Sequence, residues 1–389
     1  MKRVLFVGHR ADRTGAPISL LRIQRWLKAH SSLRFETLLL RGGILEAQYR
    51  ELGPVCVLEQ TPRPRRTLSA KLINRGLRIP FHRALAKARA TRMLRTSDLD
   101  LIFANSIASI SVLERIALRT PLVWRVPELP PSFERFGTDR VREMLRRTSA
   151  LIAPSRTAGA ALGDWDPSLR DRIEVIHGCV PFYDGDAEER STAARRIRGR
   201  LGISRDSLVV GSAGSPDQRK GVDLFVTLAE QVGARLPGAD VHFVWVGGHD
   251  LSKLETEVER RGLAKRAHFP GATDRPRDWF AAFDLFVSTA REDPFPLVCV
   301  EAAAEGVPVL CFAGAGGAPE LVEDDAGRVV AHLDVDCMAD EIAALAGDAA
   351  ERRALGATAA EKVRTRHDVE VTVPRVLALI ERHLSGGAR

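Results

Sequence analysis

Residues 281–306, the most informative stretch of the chain, read A-A-F-D-L-F-V-S-T-A-R-E-D-P-F-P-L-V-C-V-E-A-A-A-E-G. Its short apolar run at 285–287 predicts a buried strand, which continues through a polar loop into a helix. A proline at 294 or 296 suits the start of that helix, where a backbone N–H has no intrahelical partner. The stretch therefore predicts the order strand, loop, helix.

Two carboxylates lie around this predicted helix start. Asp293 falls in the loop and Glu301 about one turn into the helix. Backbone N–H groups at a helix start point outward and, with the helix dipole, attract phosphate. A carboxylate just inside can accept hydrogen bonds from two neighbouring sugar hydroxyls. The stretch therefore suits a ligand that carries both phosphate and sugar.

A second element of the same kind lies upstream. Residues 207–214 read S-L-V-V-G-S-A-G, a strand that runs into a Gly/Ser turn, and Q-R-K-G follows at 218–221 before an apolar periodic run. At a helix start, Lys220 can neutralise a diphosphate as a point charge and Arg219 as a fork of donors.

The R-K-G and D-x7-E motifs, in this order, resemble the C-terminal half of retaining GT-B glycosyltransferases of the group 1, or family 4, type. V-W-V-G-G at 244–248, F-P-G at 269–271, G-G-A-P-E at 316–320 and Gly327 follow in the family's order. The family usually has Glu where this chain has Asp293, with Glu292 beside it. Many relatives have Arg where this chain has Gly214, and Arg219 is the candidate to replace it.

The N-terminal half matches the same family more loosely. T-G-A-P at 14–17 opens a helix after the strand R-V-L-F-V-G, where the family has a Gly-rich turn that contacts the donor phosphate and the acceptor. D-L-I-F-A-N-S at 100–106 and P-L-V-W-R-V-P-E at 121–128 are two later strand ends. Many relatives have His next to the acidic residue of the second, where this chain has Pro127.

The resemblance implies a retaining glycosyltransferase of the hexosyltransferase class that takes a nucleotide sugar, UDP- or GDP-linked, and no cofactor or metal. Its acceptor would be a glycan, a lipid-linked molecule or a small molecule of cell-envelope or polysaccharide biosynthesis. The implied residues are Lys220, Asp293 and Glu301 in catalysis, Gly15, Gly214, Arg219, Phe295, Pro296, Leu297 and Glu320 at the donor, and Asn105 and Glu128 at the acceptor side.

Short apolar strands alternate with helical patterns along all 389 residues, which predicts parallel sheets covered on both faces. The polar stretch F-Y-D-G-D-A-E-E at 182–189 separates two sets of strands. We expect an acceptor-side Rossmann-like domain at 1–182 and a nucleotide-sugar domain at 183–366. The resemblance implies a GT-B fold with the two domains facing across a cleft, and a last helix at 367–389, interrupted at Pro374, that packs back on the first. The predicted strands are 4–7, 37–40, 101–104, 121–124, 150–153, 174–176, 208–211, 242–246, 267–269, 285–288, 307–311 and 327–330.

Two Asp-x-Asp segments are candidate metal ligands of another glycosyltransferase type. The first, at 98–100, begins a predicted strand rather than ending one, and the second, at 334–336, precedes a helix as its caps would. We therefore expect no metal site, because Lys220 and Arg219 supply the positive charge instead.

Composition and cysteine content indicate a protein of the cytoplasm. Hydrophobic residues make up 45% and charged residues 28% of the chain, and no apolar run approaches the ~20 residues of a membrane span. The cysteines show no metal-ligand spacing, and their odd number favours a reducing compartment. They are Cys56, Cys179, Cys299, Cys311 and Cys337.

Positive charge is concentrated in one segment. Residues 61–97 contain eleven Lys/Arg and no Asp/Glu, whereas the rest of the chain is slightly acidic. Such a segment can contact an anionic membrane, here the inner face, or a phosphate-rich acceptor, or it can be a solvated helix pair. Nucleic acid is not expected as a partner, because no aromatic residues are interleaved with the charge.

Two other functions stay open at this point. A nucleotide-sugar epimerase on the same fold would turn over its donor without an acceptor. A noncatalytic partner would keep the fold and bind a subunit or a membrane through 61–97, although Lys220, Asp293 and Glu301 argue against it.

Overall fold

A computed structural model of the chain describes residues 2–59, 99–115, 120–183, 185 and 187–385. The chain divides into two compact units. Unit 1 comprises Met1–His177 and Val369–Arg389, and unit 2 comprises Gly178–Asp368. The predicted boundary after residue 182 lies five residues beyond this division. The predicted returning segment, 367–389, begins two residues before the observed one.

Unit 1 is built on a seven-stranded parallel sheet with the order β3-β2-β1-β4-β5-β6-β7. Residues 4–7 of β1 are fully buried, as a continuous apolar run predicts for a strand covered on both faces. The third strand, in contrast, is half-exposed and was not predicted. The strands are β1 Arg3–Gly8, β2 Arg34–Arg41, β3 Val55–Glu59, β4 Leu101–Asn105, β5 Leu122–Arg125, β6 Ala150–Ala153 and β7 Ile173–Val175.

In the described part of unit 1, six α-helices are present, and the last returns from the C-terminal part of the chain. These helices are α1 Gly15–His30, α2 Glu46–Leu52, α3 Ile110–Leu113, α4 Thr138–Arg146, α5 Arg156–Trp165 and α14 Val369–Ser385. Trp26 of α1 donates through Nε1 to Glu370 of α14 at 2.8 Å. The expected interruption at Pro374 is wrong, because α14 continues through it. Its buried apolar face outweighs the one backbone hydrogen bond that proline removes.

Unit 2 is built on a six-stranded parallel sheet with the order β10-β9-β8-β11-β12-β13. Neighbouring residues of a strand enter opposite cores: Val209 packs into one apolar cluster and Val210 into the other. Both faces are therefore covered, which makes the unit a doubly wound α/β fold. The strands are β8 Leu208–Ala213, β9 Val241–Val246, β10 Ala267–Gly271, β11 Leu285–Ser288, β12 Val309–Phe312 and β13 Gly327–Val330.

The helices of unit 2 follow its strands in alternation. They are α6 Ala187–Leu201, α7 Val222–Arg235, α8 Ser252–Arg260, α9 Pro276–Phe280, α10 Leu297–Ala304, α11 Pro319–Val322, α12 Val335–Gly347 and α13 Ala349–Lys362. Each of the twelve predicted strands overlaps an observed one. The two Rossmann-like sheets confirm the predicted α/β fold class.

A histidine pair joins two strands of unit 2 near their first residues. Nδ1 of His242 lies 2.9 Å from Nε2 of His268, and Nε2 of His242 lies 3.0 Å from Oδ1 of Asp240. Burial and the neighbouring His242 lower the pKa of His268 from 6.5 to about 4. The folded state therefore resists protonation of a group that the unfolded chain protonates at mildly acidic pH.

We expect this pair to make unit 2 less stable in acid. A depressed histidine pKa gives stability that is present above pH 6.5 and lost as the pH falls toward 4. Because His268 is half-exposed, we expect only about 1–2 kcal/mol of this loss to come from it. Urea unfolding at pH 7 and pH 5 should show a smaller pH effect in His268→Gln than in the wild type. An unchanged pH effect in that variant would contradict the assignment.

Candidate functional site

Two loops meet at the point in unit 2 where the strand order reverses. β8 and β11 are neighbours in the sheet, and the chain leaves them toward opposite sides. The loops that follow them are hydrogen bonded, with Arg291 N donating to Arg219 O at 2.9 Å and Thr289 Oγ1 to Gly221 O at 2.8 Å. In open α/β sheets, ligands bind at such a reversal, outside the carboxyl ends of the strands.

Close contact between these loops requires a glycine. Gly221 has a φ of +70°, a region that side chains with a Cβ rarely adopt. A Cβ there would lie 1.9 Å from the carbonyl oxygen of Thr289. The glycine of the R-K-G motif thus allows the two loops to touch.

The touching loops bring Lys220 and Asp293 together. Nζ of Lys220 is bonded to Oδ2 of Asp293, and the two side chains are only 17% and 11% exposed. Arg219 places Nη1 4.0 Å from the same oxygen and donates to the carbonyl of Glu292 at 2.8 Å. The sequence predicts separate roles, with Lys220 contacting phosphate and Asp293 contacting sugar hydroxyls. In the structure the two side chains are hydrogen bonded to each other.

A third loop, after β12, holds the backbone of Asp293. The amide of Asp293 donates to Ala315 O at 2.6 Å, and the amide of Gly317 donates to Asp293 O at 3.1 Å. Gly316 has a φ of +124°, and a Cβ on it would lie 1.8 Å from that carbonyl oxygen. The G-G-A-P-E motif therefore positions Asp293, and its Glu320 lies half-buried in the short helix α11 that follows.

Glu301 lies on α10, which begins directly after Pro296. Cys299, two residues before Glu301 on the same helix, has a buried thiol. The pKa of this thiol is raised to about 12 by burial and by the charges of Asp293 and Glu301. Lys220 acts on the same thiol in the opposite direction. The charges of Lys220, Asp293 and Glu301 therefore all act on this one thiol.

The other predicted donor residues differ in what they present. Gly214 directly follows β8 with a φ of +137°, and a Cβ on it would lie 3.7–3.9 Å from the aliphatic stem of Lys220. Phe295 is 7% exposed and packs its ring at 5.3 Å from that of His367. Any ligand contact by Phe295 is therefore left to its backbone. Pro296 is buried, and Leu297 is partly exposed at the first turn of α10.

Gly15, predicted at the donor, and the acceptor-side residues Asn105 and Glu128 fall at the carboxyl edge of the unit 1 sheet. Gly15 is the exposed first residue of α1 and lies outside the positive-φ region. Asn105 is buried, donates to Ala16 O at 2.9 Å and accepts from Arg125 Nη1 at 3.1 Å. Both polar groups of its side chain are therefore used, one on the start of α1 and one on the end of β5, so Asn105 supports this edge.

Glu128 is half-buried at the same edge and contacts Ser106, the residue after Asn105. Its carboxylate accepts hydrogen bonds from Ser106 Oγ and, at 3.1 Å, from the amide of Ile107. Burial raises its pKa. Ser106 has a φ of +74°, a strained value for serine that is most often found at functional sites. The Ser106 hydroxyl also accepts a hydrogen bond from the amide of Ala108 at 3.2 Å, so it caps the turn at 107–109 as well as donating to Glu128.

The Asp-x-Asp segments have structural partners. Asp98 lies outside the described residues, and Asp100 accepts from Lys2 Nζ and the amide of Arg3, each at 2.8 Å. Asp334 caps α12 through the amide of Cys337 at 2.8 Å, and Asp336 pairs with Arg235. In the described ranges, no three His, Cys, Asp or Glu side chains form a group that could hold a metal.

The membrane prediction concerns a part of the chain without a structural description. The basic segment 61–97 lies outside the described residues. None of the helices in the described part combines the length and the hydropathy of a membrane span.

Sequence comparisons identify relatives of the chain. The family model "Glycosyl transferases group 1" matches residues 205–348. The lipopolysaccharide core biosynthesis mannosyltransferase LpsB of Rhizobium meliloti (strain 1021) is 30% identical over 258 residues, which cover 64% of this chain and 70% of that protein. A D-inositol 3-phosphate glycosyltransferase of Xylanimonas cellulosilytica is 30% identical over 243 residues, 60% of this chain and 56% of that protein.

Solved structures agree on the fold. HepE of Anabaena, crystallised in complex with UDP, superposes with a TM-score of 0.78 at 23% identity over 98% of this chain and 100% of its own. WaaG, a glycosyltransferase involved in lipopolysaccharide biosynthesis, gives a TM-score of 0.72 at 16% identity over 99% and 100%. Together with the family match and the identity to LpsB, these findings show that the chain belongs to the group 1 glycosyltransferases and has the GT-B fold.

Proposed function

We propose that this protein transfers a hexose from a nucleotide sugar to an acceptor hydroxyl with retention of the anomeric configuration. The observation that carries the proposal is the contact of Lys220 with Asp293 where the strand order of unit 2 reverses, just before the helix α10 that bears Glu301. Such convergence of opposite charges at a ligand-binding edge is typical of active sites.

Each charge has a role in the reaction that we propose. The bond between the anomeric carbon and the diphosphate oxygen breaks, the bond to the acceptor oxygen forms on the same face, and the acceptor proton passes to the leaving diphosphate. Lys220, with Arg219 beside it, neutralises the charge that develops on that diphosphate. Glu301 accepts hydrogen bonds from the ribose, and Asp293 from the sugar hydroxyls.

The relatives favour one donor and one class of acceptor. Crystal structures of HepE are described in complex with UDP and with UDP-glucose, so UDP-linked sugars are the first donors to screen. LpsB and WaaG are named for lipopolysaccharide biosynthesis, which favours a cell-envelope glycan as the acceptor. We propose that the chemistry needs no metal, because the two basic side chains supply the charge that a cation would.

Replacing Glu301 tests the donor site. Glu301→Gln keeps the shape but removes the charge, so we expect a loss of about 1–3 kcal/mol in UDP binding, roughly 5- to 150-fold in Kd. Isothermal titration calorimetry measures the Kd of UDP for the variant and for the wild type. Glu259→Gln, on the exposed side of α8, is the matched control and should bind as the wild type does.

Two outcomes would argue against this function. UDP affinity that is equal in Glu301→Gln and in the wild type would remove Glu301 from the donor site. A nucleotide sugar that is converted without any acceptor would point to an epimerase instead.

We further propose that segment 61–97 docks the enzyme on anionic lipid at the inner face of the membrane. Each contacting Lys/Arg adds on the order of 1 kcal/mol near such a surface, and salt screens it because the Debye length is about 10 Å at 0.1 M. Pelleting with anionic vesicles should be strong at low salt and weak at high salt.

A five-residue variant tests this docking. Changing Arg63, Arg65, Arg66, Lys71 and Arg75 to Gln should abolish pelleting and leave UDP binding intact, because the donor is assigned to unit 2. A wild-type protein that ignores anionic vesicles even at low salt would exclude the membrane role.

A further inference from the structure

Arg291 makes several of the polar contacts between the loop after β11 and the segment that follows β8. Arg291 donates through Nη1 and Nη2 to the two carboxylate oxygens of Asp223, at 2.7 and 2.6 Å. Its Nη1 also donates to Gln218 O at 2.8 Å, and its backbone amide donates to Arg219 O at 2.9 Å. Arg291 therefore contacts the loop after β8 at two points and the start of α7 at a third.

The partners of Arg291 lie close to Lys220 in the chain, and Arg291 itself lies close to Asp293. Asp223 is the second residue of α7 and is anchored by that helix. Lys220 lies between Arg219 and Gly221, whose carbonyls both accept bonds from the loop after β11. Asp293 follows Arg291 by two residues. The Arg291–Asp223 pair, which we name the loop clamp, thus sets the separation between the backbones that carry the ammonium and the carboxylate.

The loop clamp contributes more to orientation than to stability. The Arg291 side chain is 28% exposed and that of Asp223 is 56% exposed, and exposed ion pairs stabilise proteins little. The planar guanidinium, in contrast, meets a carboxylate in a fixed two-point geometry that an ammonium cannot reproduce. The hydrogen bond from Arg291 lowers the pKa of Asp223, so both partners are charged at neutral pH.

We propose that Arg291, held by Asp223, is a positioning residue that aligns Lys220 with Asp293. Arg291 acts through these two side chains, and its effect on turnover rests on the sugar-transfer function proposed above. Losing the clamp would leave the charges present but misaligned, and a misplacement of about 1 Å can cost ~100-fold in rate.

The direct test observes Lys220 itself. The lysine amines are labelled by reductive ¹³C-methylation, and the Lys220 signal is assigned with Lys220→Arg. Arg291→Gln and Asp223→Asn are each expected to move this signal, and the double variant should move it no further than either single one. The matched control is Arg260→Gln, which breaks an exposed two-point pair with Glu257 on α8 and should leave the signal in place.

Kinetics then separate positioning from folding. Arg291→Gln should lower kcat for turnover of a UDP-sugar at least about tenfold, with Tm within about 3 °C of the wild type. Arg291→Lys restores the charge without the fork and should recover only part of kcat.

The possible results distinguish this proposal from the proposed function. A Lys220 signal that stays in place in both single variants would overturn the clamp. A Tm that falls by ten degrees or more in Arg291→Gln would also overturn it, because the residue would then be structural. If no nucleotide sugar is turned over, the signal shift still supports the clamp, and only the sugar-transfer function fails.

Discussion

Lys220→Met is expected to lower kcat for sugar transfer by about 10²–10³-fold, the effect of removing one group that stabilises charge in a transition state. Lys220 is the ammonium closest to the reacting centre in our proposal and is bonded to Asp293. Methionine has a similar length and no charge, so the leaving diphosphate would lose its main counter-charge. A thermal-shift screen first identifies the UDP-sugar that the protein binds. The rate of UDP release from this donor then measures kcat.

Two controls define this experiment. Lys253→Met removes an exposed lysine from α8 and should keep wild-type activity. The assays contain excess EDTA, because the assignment gives Lys220 the role that a metal has in other glycosyltransferases. The assignment would be wrong if Lys220→Met retained more than about a third of the activity, or if the wild type needed magnesium or manganese for transfer.

Gly221→Ala is expected to destabilise unit 2 by more than about 3 kcal/mol, because steric overlap with a fixed carbonyl adds to backbone strain. The added Cβ would lie 1.9 Å from Thr289 O, and neither loop can move without breaking the hydrogen bonds between them. UDP binding should weaken as well, since Lys220 is the preceding residue.

Gly262→Ala is a control that isolates the steric part. Gly262 has the same φ of +70°, but no atom lies within 4 Å of its added Cβ. We expect it to cost only about 1–2 kcal/mol, the price of a left-handed conformation for alanine. Urea unfolding of both variants measures the difference. Equal losses would mean that the two loops tolerate separation at Gly221.

Local pattern was sufficient for the fold class. Continuous apolar runs such as 285–288 predict buried parallel strands because both faces of such a sheet are covered, and this property is legible in a few consecutive residues. Val55–Glu59 escaped prediction for the same reason, because a half-exposed strand at the sheet edge does not need an apolar run. Pro374 was misread because its helix is stabilised by packing against unit 1 rather than by its own sequence.

The candidate site shows the same division. The charged residues of the site could be predicted from the sequence, because the R-K-G and D-x7-E motifs place charges at predicted helix starts and resemble those of a known family. Three contacts could be seen only in the tertiary structure. Lys220 is hydrogen bonded to Asp293, Gly316 lies against the backbone carbonyl of Asp293, and Arg291 is hydrogen bonded across the two loops. The first and the last of these contacts, Lys220–Asp293 and Arg291–Gln218, link residues 73 positions apart. They exist because β8 lies beside β11 in the sheet, and strand order is a property of the packed fold that no local periodicity encodes.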